Sequence, residues 1–104
     1  MNHFWILDDE QNLIATDVIT WGEWFGNNKN RYVARTHVGD AIVSTVCLGI
    51  DHNFMRTGPP QLFETMVFRL GDGEDCWRCA TWQEAEEQHM RVVVELREGN
   101  HEQD

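Results

Sequence analysis

The sequence predicts an α+β domain: an antiparallel meander of about five strands with two helices packed on one face, in the order β-α-β-β-β-β-α. Three observations carry this. Several runs rich in β-branched residues are separated by tight-turn residues. Two segments show apolar residues at helical spacing behind capping residues. The chain has 104 residues, enough for one domain with its own core.

The elements follow in order. "HFWILDD" reads as a first strand that ends in the polar turn "DDEQN". In "TDVITWGEWFGNN", Asp17 is placed to cap a short helix, and Val18, Trp21 and Phe25 recur on one face. Gly26, Asn27 and Asn28 end that helix, because Gly and Asn tolerate the left-handed conformation. "RYVARTHV" and "DAIVSTVCLG" form a hairpin about Val38-Gly39-Asp40. "NFMRTGPPQ" is a loop, "LFETMVFRL" a strand, "GDGED" a turn and "CWRCA" a short strand. The last helix opens with a Thr81-x-x-Glu84 capping box. Trp82, Ala85, His89, Val92, Val93 and Leu96 line its inner face; Gly99 is the expected stop, with residues 100–104 as a frayed tail.

The charge balance is unusual. Lys29 is the only lysine; with seven arginines it stands against 18 acids, for a net charge of -10. Such a chain repels nucleic acid and acidic membrane; its charge suits a partner with a basic surface or serves only to keep the protein in solution. The start "MNHFWILDDE" lacks the basic region of a secretory signal, and no apolar run approaches the ~20 residues of a membrane span. An odd number of cysteines, three, argues against a disulfide framework, so the expected location is the cytoplasm.

Two groupings carry chemical vocabulary. Cys76-x-x-Cys79 lies before the helix cap at Thr81, and on a strand the odd spacing sends the two thiols to opposite faces. It therefore reads as two packing cysteines. The second grouping is Thr45, Asp51, His52, Glu64 and His89, the residue types of an acid-base or metal site. His89 stands in an apolar helix face, and Glu64, between Leu62 and Met66, is its natural partner if that strand face meets the helix. The strand's other face carries Phe63, Thr65 and Val67, and the segment alone does not choose between them. None of H-E-x-x-H, G-x-S-x-G or a phosphate loop occurs. A structural polar network is the expected role, with no metal, no cofactor and no catalysis; were there catalysis, Asp51, His52, Glu64 and His89 would carry it. Among the five tryptophans, Trp24 and Trp77 are candidate interface anchors beside Asp51, His52, Glu64, Thr45 and His89.

The blocks "VSTVCLGIDHNF", "PPQLFETMVF" and "WRCATWQEAEEQHM" resemble a family of small uncharacterised proteins of tailed bacteriophages and prophages. The family pattern runs V-S-T-V-F-L-G-x-D-H-x-F, then P-L-L-F-E-T-M-x-F, then W-R-Y-x-T-W-x-E-A-x-x-G-H. Cys47 stands where the family has phenylalanine and Cys79 where it tends to tyrosine. The resemblance implies a phage setting and supplies no activity.

Together these readings give the expected function. It is that of a phage accessory protein that binds a host or phage protein with a basic surface, as an anti-defence inhibitor of a CRISPR or restriction factor would. A small-molecule or metal-dependent hydrolytic module built on Asp51, His52, Glu64 and His89 is one alternative. A structural or replication accessory homodimer is the other.

Overall fold

In the computed structural model, which describes residues 3–27, 29–51, 58–69 and 75–102, the chain opens on a hairpin. Strand β1 (Phe4–Leu7) pairs antiparallel with β2 (Leu13–Thr16). The turn between them is held by the Asp8 carboxylate, which accepts from the Glu10 and Asn12 amides at 2.8 and 2.9 Å. These bonds favour the charged form, and the Asn12 amide above all holds Asp8 below its ordinary pKa. The polar turn was expected; β2 was not. Four residues are too short to display an alternation of their own, and pairing to β1 is what makes "LIAT" a strand.

Helix α1 (Val18–Asn27) begins where expected: Asp17 Oδ1 accepts the Thr20 amide at 2.7 Å, an N-cap bond. Trp24 is buried, and Trp21 and Phe25 are half-buried beside it. Val18, expected on that face, is 54 % exposed, because its first-turn position leaves it at the end of the packed stripe. A 3-10 turn at Lys29–Arg31 leads into the second sheet.

That sheet is an antiparallel meander in the order β3 (Tyr32–Val38), β4 (Ala41–Cys47), β5 (Phe63–Arg69), β6 (Asp75–Cys79). Gly39, at φ +60°, takes the first loop position of the β3–β4 hairpin, the place a type II′ turn reserves for glycine. The expected sheet of about five strands is thus four strands plus a separate two-stranded hairpin. Among the described residues one isolated bridge, Phe4 to Ile50, pairs the hairpin with the segment that follows β4.

Helix α2 (Trp82–Glu102) covers one face of the meander. Its capping box is formed as expected: Thr81 Oγ1 accepts the Glu84 amide at 3.1 Å, and Glu84 Oε1 accepts the Thr81 amide at 3.1 Å. The helix runs through Gly99 to Glu102 rather than stopping there. Gly99 does not adopt the positive φ that a glycine stop requires, so the expected tail from residue 100 is helical as far as 102.

Alternation sorts the sheet into two faces. Ala41, Val43, Thr45 and Cys47 of β4 and Phe63, Thr65 and Val67 of β5 are buried, and α2 lies over them. The core has two parts. One gathers Leu7, Trp24, Cys47, Leu62, Phe63 and Ala85 around the hairpin and α1. The other gathers Val38, Val43, Val67, Val92 and Val93 under the C-terminal half of α2.

Candidate functional site

Between these two apolar clusters lies a buried polar layer. His89 is 2 % exposed, and Thr45 and Thr65 are fully covered. Thr36 Oγ1 lies 2.8 Å from His89 Nε2, and Thr45 Oγ1 lies 2.8 Å from His89 Nδ1. Thr45 Oγ1 is 2.7 Å from Thr65 Oγ1, and the Thr65 hydroxyl donates to Gln88 Oε1 at 3.2 Å. A hydroxyl has one proton to give, which orders the chain. Thr65 gives its proton to Gln88, so Thr45 donates to Thr65. His89 Nδ1–H then donates to Thr45, and Nε2 accepts from Thr36. Every member is satisfied with His89 neutral, and among the described residues no buried side-chain nitrogen or oxygen lacks a partner. Burial pushes the His89 pKa down, in keeping with the neutral ring.

Thr45 and His89 therefore meet, as a structural network. Glu64, the expected partner of His89, does not join them. It sits opposite Val46 on the other face of the sheet, where Glu64 Oε2 accepts from Arg78 Nε at 3.2 Å and faces Arg78 Nη2 at 3.1 Å. The strand parity explains this: Phe63, Thr65 and Val67 pair with the buried Cys47, Thr45 and Val43 of β4 on the face under α2, which leaves Glu64 on the opposite face. An acid-base cluster of Glu64 with His89 is ruled out by the thickness of the sheet.

Asp51 lies elsewhere again. Its Oδ1 accepts the Gln61 amide at 3.0 Å, clamping the two ends of the loop between β4 and β5. The residues before it dock the hairpin. Trp5 N donates to Gly49 O at 2.8 Å, Trp21 Nε1 to Leu48 O at 3.0 Å, and Asp51 N to His3 O at 3.2 Å. Gly49 is buried at φ +70°, and a Cβ there would lie against the Trp5 carbonyl and 2.8 Å from Trp21 Nε1. "LGID" is thus a joint between the two sheets. His52 falls outside the described residues. Among those residues no three His, Cys, Asp or Glu side chains group as metal ligands.

The cysteines divide as their spacing implies: Cys76 is exposed opposite Met66, whereas Cys79 is buried opposite Phe63. Desolvation pushes the Cys47 thiol up to about 12 and the Cys79 thiol up to about 11, which makes both poor nucleophiles. Trp24 is a correction. It is 4 % exposed, with Nε1 donating to Asn30 Oδ1 at 3.1 Å, so it is a core residue and not a surface anchor. Trp77 sits on the α2 side of edge strand β6, 36 % exposed.

Exposed large apolar residues lie on several surfaces, Ile14, Val18 and Ile19 of the hairpin and α1 among them; two others bear on binding. The uncovered sheet face carries half-buried Ile42, Ser44, Val46 and Met66 with Phe68 at 40 % exposure, and a groove of about 550 Å³ runs between β3, β4 and Phe68. The outer face of α2 exposes Met90 and Val94, one turn apart, at 54 % and 43 %. From Gln83 to Glu98 that helix also exposes Glu84, Glu86, Glu87, Glu95 and Glu98 against Arg91 and Arg97. Sequence reading missed Gln88, Met90 and Val94. Gln88 is signalled by its place three residues after Ala85 and four before Val92, and Met90 and Val94 by apolar character off the inner stripe. Among the described residues no helix is long and apolar enough to cross a membrane. No family model, curated protein or solved structure matches the chain.

Proposed function

We propose that this protein acts by binding a protein partner with a basic surface, through the outer face of α2. The observation that carries the reading is the exposed Met90–Val94 pair among glutamates. The inner stripe of α2 packs without either residue, and an exposed valine lowers helix propensity, so Val94 in particular is not explained by the fold. An apolar pair inside a charged rim is the arrangement of an interface anchor. The net charge of -10 adds long-range attraction to a cationic partner. The phage resemblance supplies the setting, in which a basic nucleic-acid-binding host factor is the target and its inhibition an anti-defence function.

The test is a pull-down from lysate of a bacterial host. At low salt, the wild type retains a nucleic-acid-binding protein; that protein is released toward about 1 M salt, where screening acts over only about 3 Å. Met90→Lys with Val94→Lys abolishes capture, and Phe68→Ser does not. Capture indifferent to both salt and the lysine variant overturns the reading, as does failure to retain any protein at low salt. The anti-defence part is tested separately, by phage plating on hosts armed with CRISPR or restriction; unchanged plating rejects it.

A further inference from the structure

The groove on the uncovered sheet face differs in charge from the rest of the molecule. Arg35 on β3 and Ser44 on β4 stand directly opposite each other, and both line it, with Tyr32, Ile42 and Phe68. Among the described residues no acidic one lines it, in a chain with 18 acids. Of the three arginines on the sheet's strands, Arg69 faces Asp75 and Arg78 faces Glu64. Arg35 has no carboxylate partner among the described residues. An arginine that could have been neutralised by so acidic a chain is instead left beside a hydroxyl and an apolar floor.

We infer that this groove is a binding site for a small organic acid, a ligand with an apolar or aromatic body and one carboxylate. The Arg35 guanidinium is a planar fork that matches a carboxylate with two parallel N–H···O bonds. Ser44 offers one further donor. Ile42 and Phe68 receive the apolar body. The Tyr32 wall is held in place, since its hydroxyl accepts from Arg31 Nη2 at 2.9 Å and the Arg31 guanidinium lies 4.4 Å from its ring centre. The volume, about 550 Å³, falls within the roughly 300–1,000 Å³ of small-molecule sites. The net negative charge does not forbid this, because at physiological salt charges farther away than about 8 Å are screened and the lining decides. The site is distinct from the outer face of α2 and does not rest on the function proposed there.

The probe is 1-naphthoate, with its neutral amide 1-naphthamide as the control. Titrated into isotopically labelled protein, naphthoate shifts the amide resonances of Arg35, Ser44 and Phe68 and binds at least about tenfold more tightly than naphthamide, the worth of a charge-assisted pair. Arg35→Met lowers naphthoate affinity to that of the amide, and Phe68→Ser weakens both probes. Arg35 is exposed, so the methionine variant keeps the fold, and its unfolding midpoint confirms this. Equal affinity for acid and amide overturns the proposal. So do unchanged binding in Arg35→Met, shifts confined to other surfaces, or no shift at millimolar naphthoate.

Discussion

His89 Nδ1 lies 2.8 Å from Thr45 Oγ1, a contact that ties the middle of α2 to the middle of the sheet. Apolar clusters lie on either side of it, Ala85 with Phe63 in one and Val92 and Val93 with Val43 in the other. Apolar packing alone tolerates a helix that slides, whereas this polar layer is satisfied in one register only. Thr45→Val keeps the shape of the side chain, removes the acceptor of the His89 proton and leaves that N–H buried without a partner. The expected loss is about 1–3 kcal/mol in urea unfolding. His89→Ala removes a large buried side chain as well and loses more, about 2–5 kcal/mol. The double variant loses less than the sum, because each change removes the same bond.

The same residue gives stability a pH dependence with a definite sign. The folded state holds His89 below its ordinary value of 6.5, through burial. Above that value both states are neutral there and stability is full. As pH falls through 6.5 the unfolded chain takes up a proton that the folded one refuses, so stability declines until the lower folded value is passed. The slope is at most about 1.4 kcal/mol per pH unit. Urea midpoints at pH 7.5 and pH 5.5 check it: the wild type loses stability between them, and His89→Gln removes this contribution. Asp8 and Asp17 act in a separate window. Both are held below 3.8 when folded, so their contribution is present above that value and is lost as pH falls through the lower folded values.

What the sequence makes legible follows from how local the cause is. The Thr81–Glu84 box and the Asp17 cap are set within four residues, and both are formed. His89 is visible as a polar residue in an apolar stripe, but its partners come from β3 and β4, more than 40 positions away. Glu64 was a reasonable partner until parity was known, since its own face of "LFETMVF" carries three apolar residues, Leu62, Met66 and Phe68, against two, Phe63 and Val67, on the other. Only pairing with β4, whose buried set is Val43, Thr45 and Cys47, decides which face meets the helix. β2 was missed because it depends on pairing with β1, not on its own residues; α2 runs past Gly99 because a glycine ends a helix only where it takes a positive φ, which its identity permits and does not dictate.

The three thiols separate by environment, which gives a simple count. In native protein at pH 8 a thiol-disulfide reagent titrates one cysteine quickly, Cys76, which is exposed. Cys47 and Cys79 are buried and their thiols are pushed up to about 12 and about 11, so they react only as fast as the protein opens. In denaturant all three react. Two fast thiols in the native state overturn the placement of Cys79 under α2, and Cys76→Ser identifies the fast one.

Gly49 gives the sharpest test of the joint between the sheets. Its φ of +70° disfavours any side chain, at about 1–3 kcal/mol. The space is also closed, by the Trp5 carbonyl on one side and the Trp21 indole on the other. Gly49→Ala therefore pushes β1 away from the loop and breaks the bonds from Trp5 N to Gly49 O and from Trp21 Nε1 to Leu48 O. The effect is local first. Phe4, Trp21 and Phe25 stack around this joint, with ring centres 5.4 and 5.0 Å apart, so tryptophan fluorescence shifts to the red. Hydrogen exchange accelerates at Trp5 and through the hairpin, while the amides of β4 and β5 under α2 keep their protection up to the reduced global stability. Gly39→Ala is the control: it shares a positive φ but lies at the far end of β4, so it lowers stability without loosening the hairpin. If Gly49→Ala leaves Trp5 exchange and fluorescence as in the wild type, the joint is not where the hairpin is held.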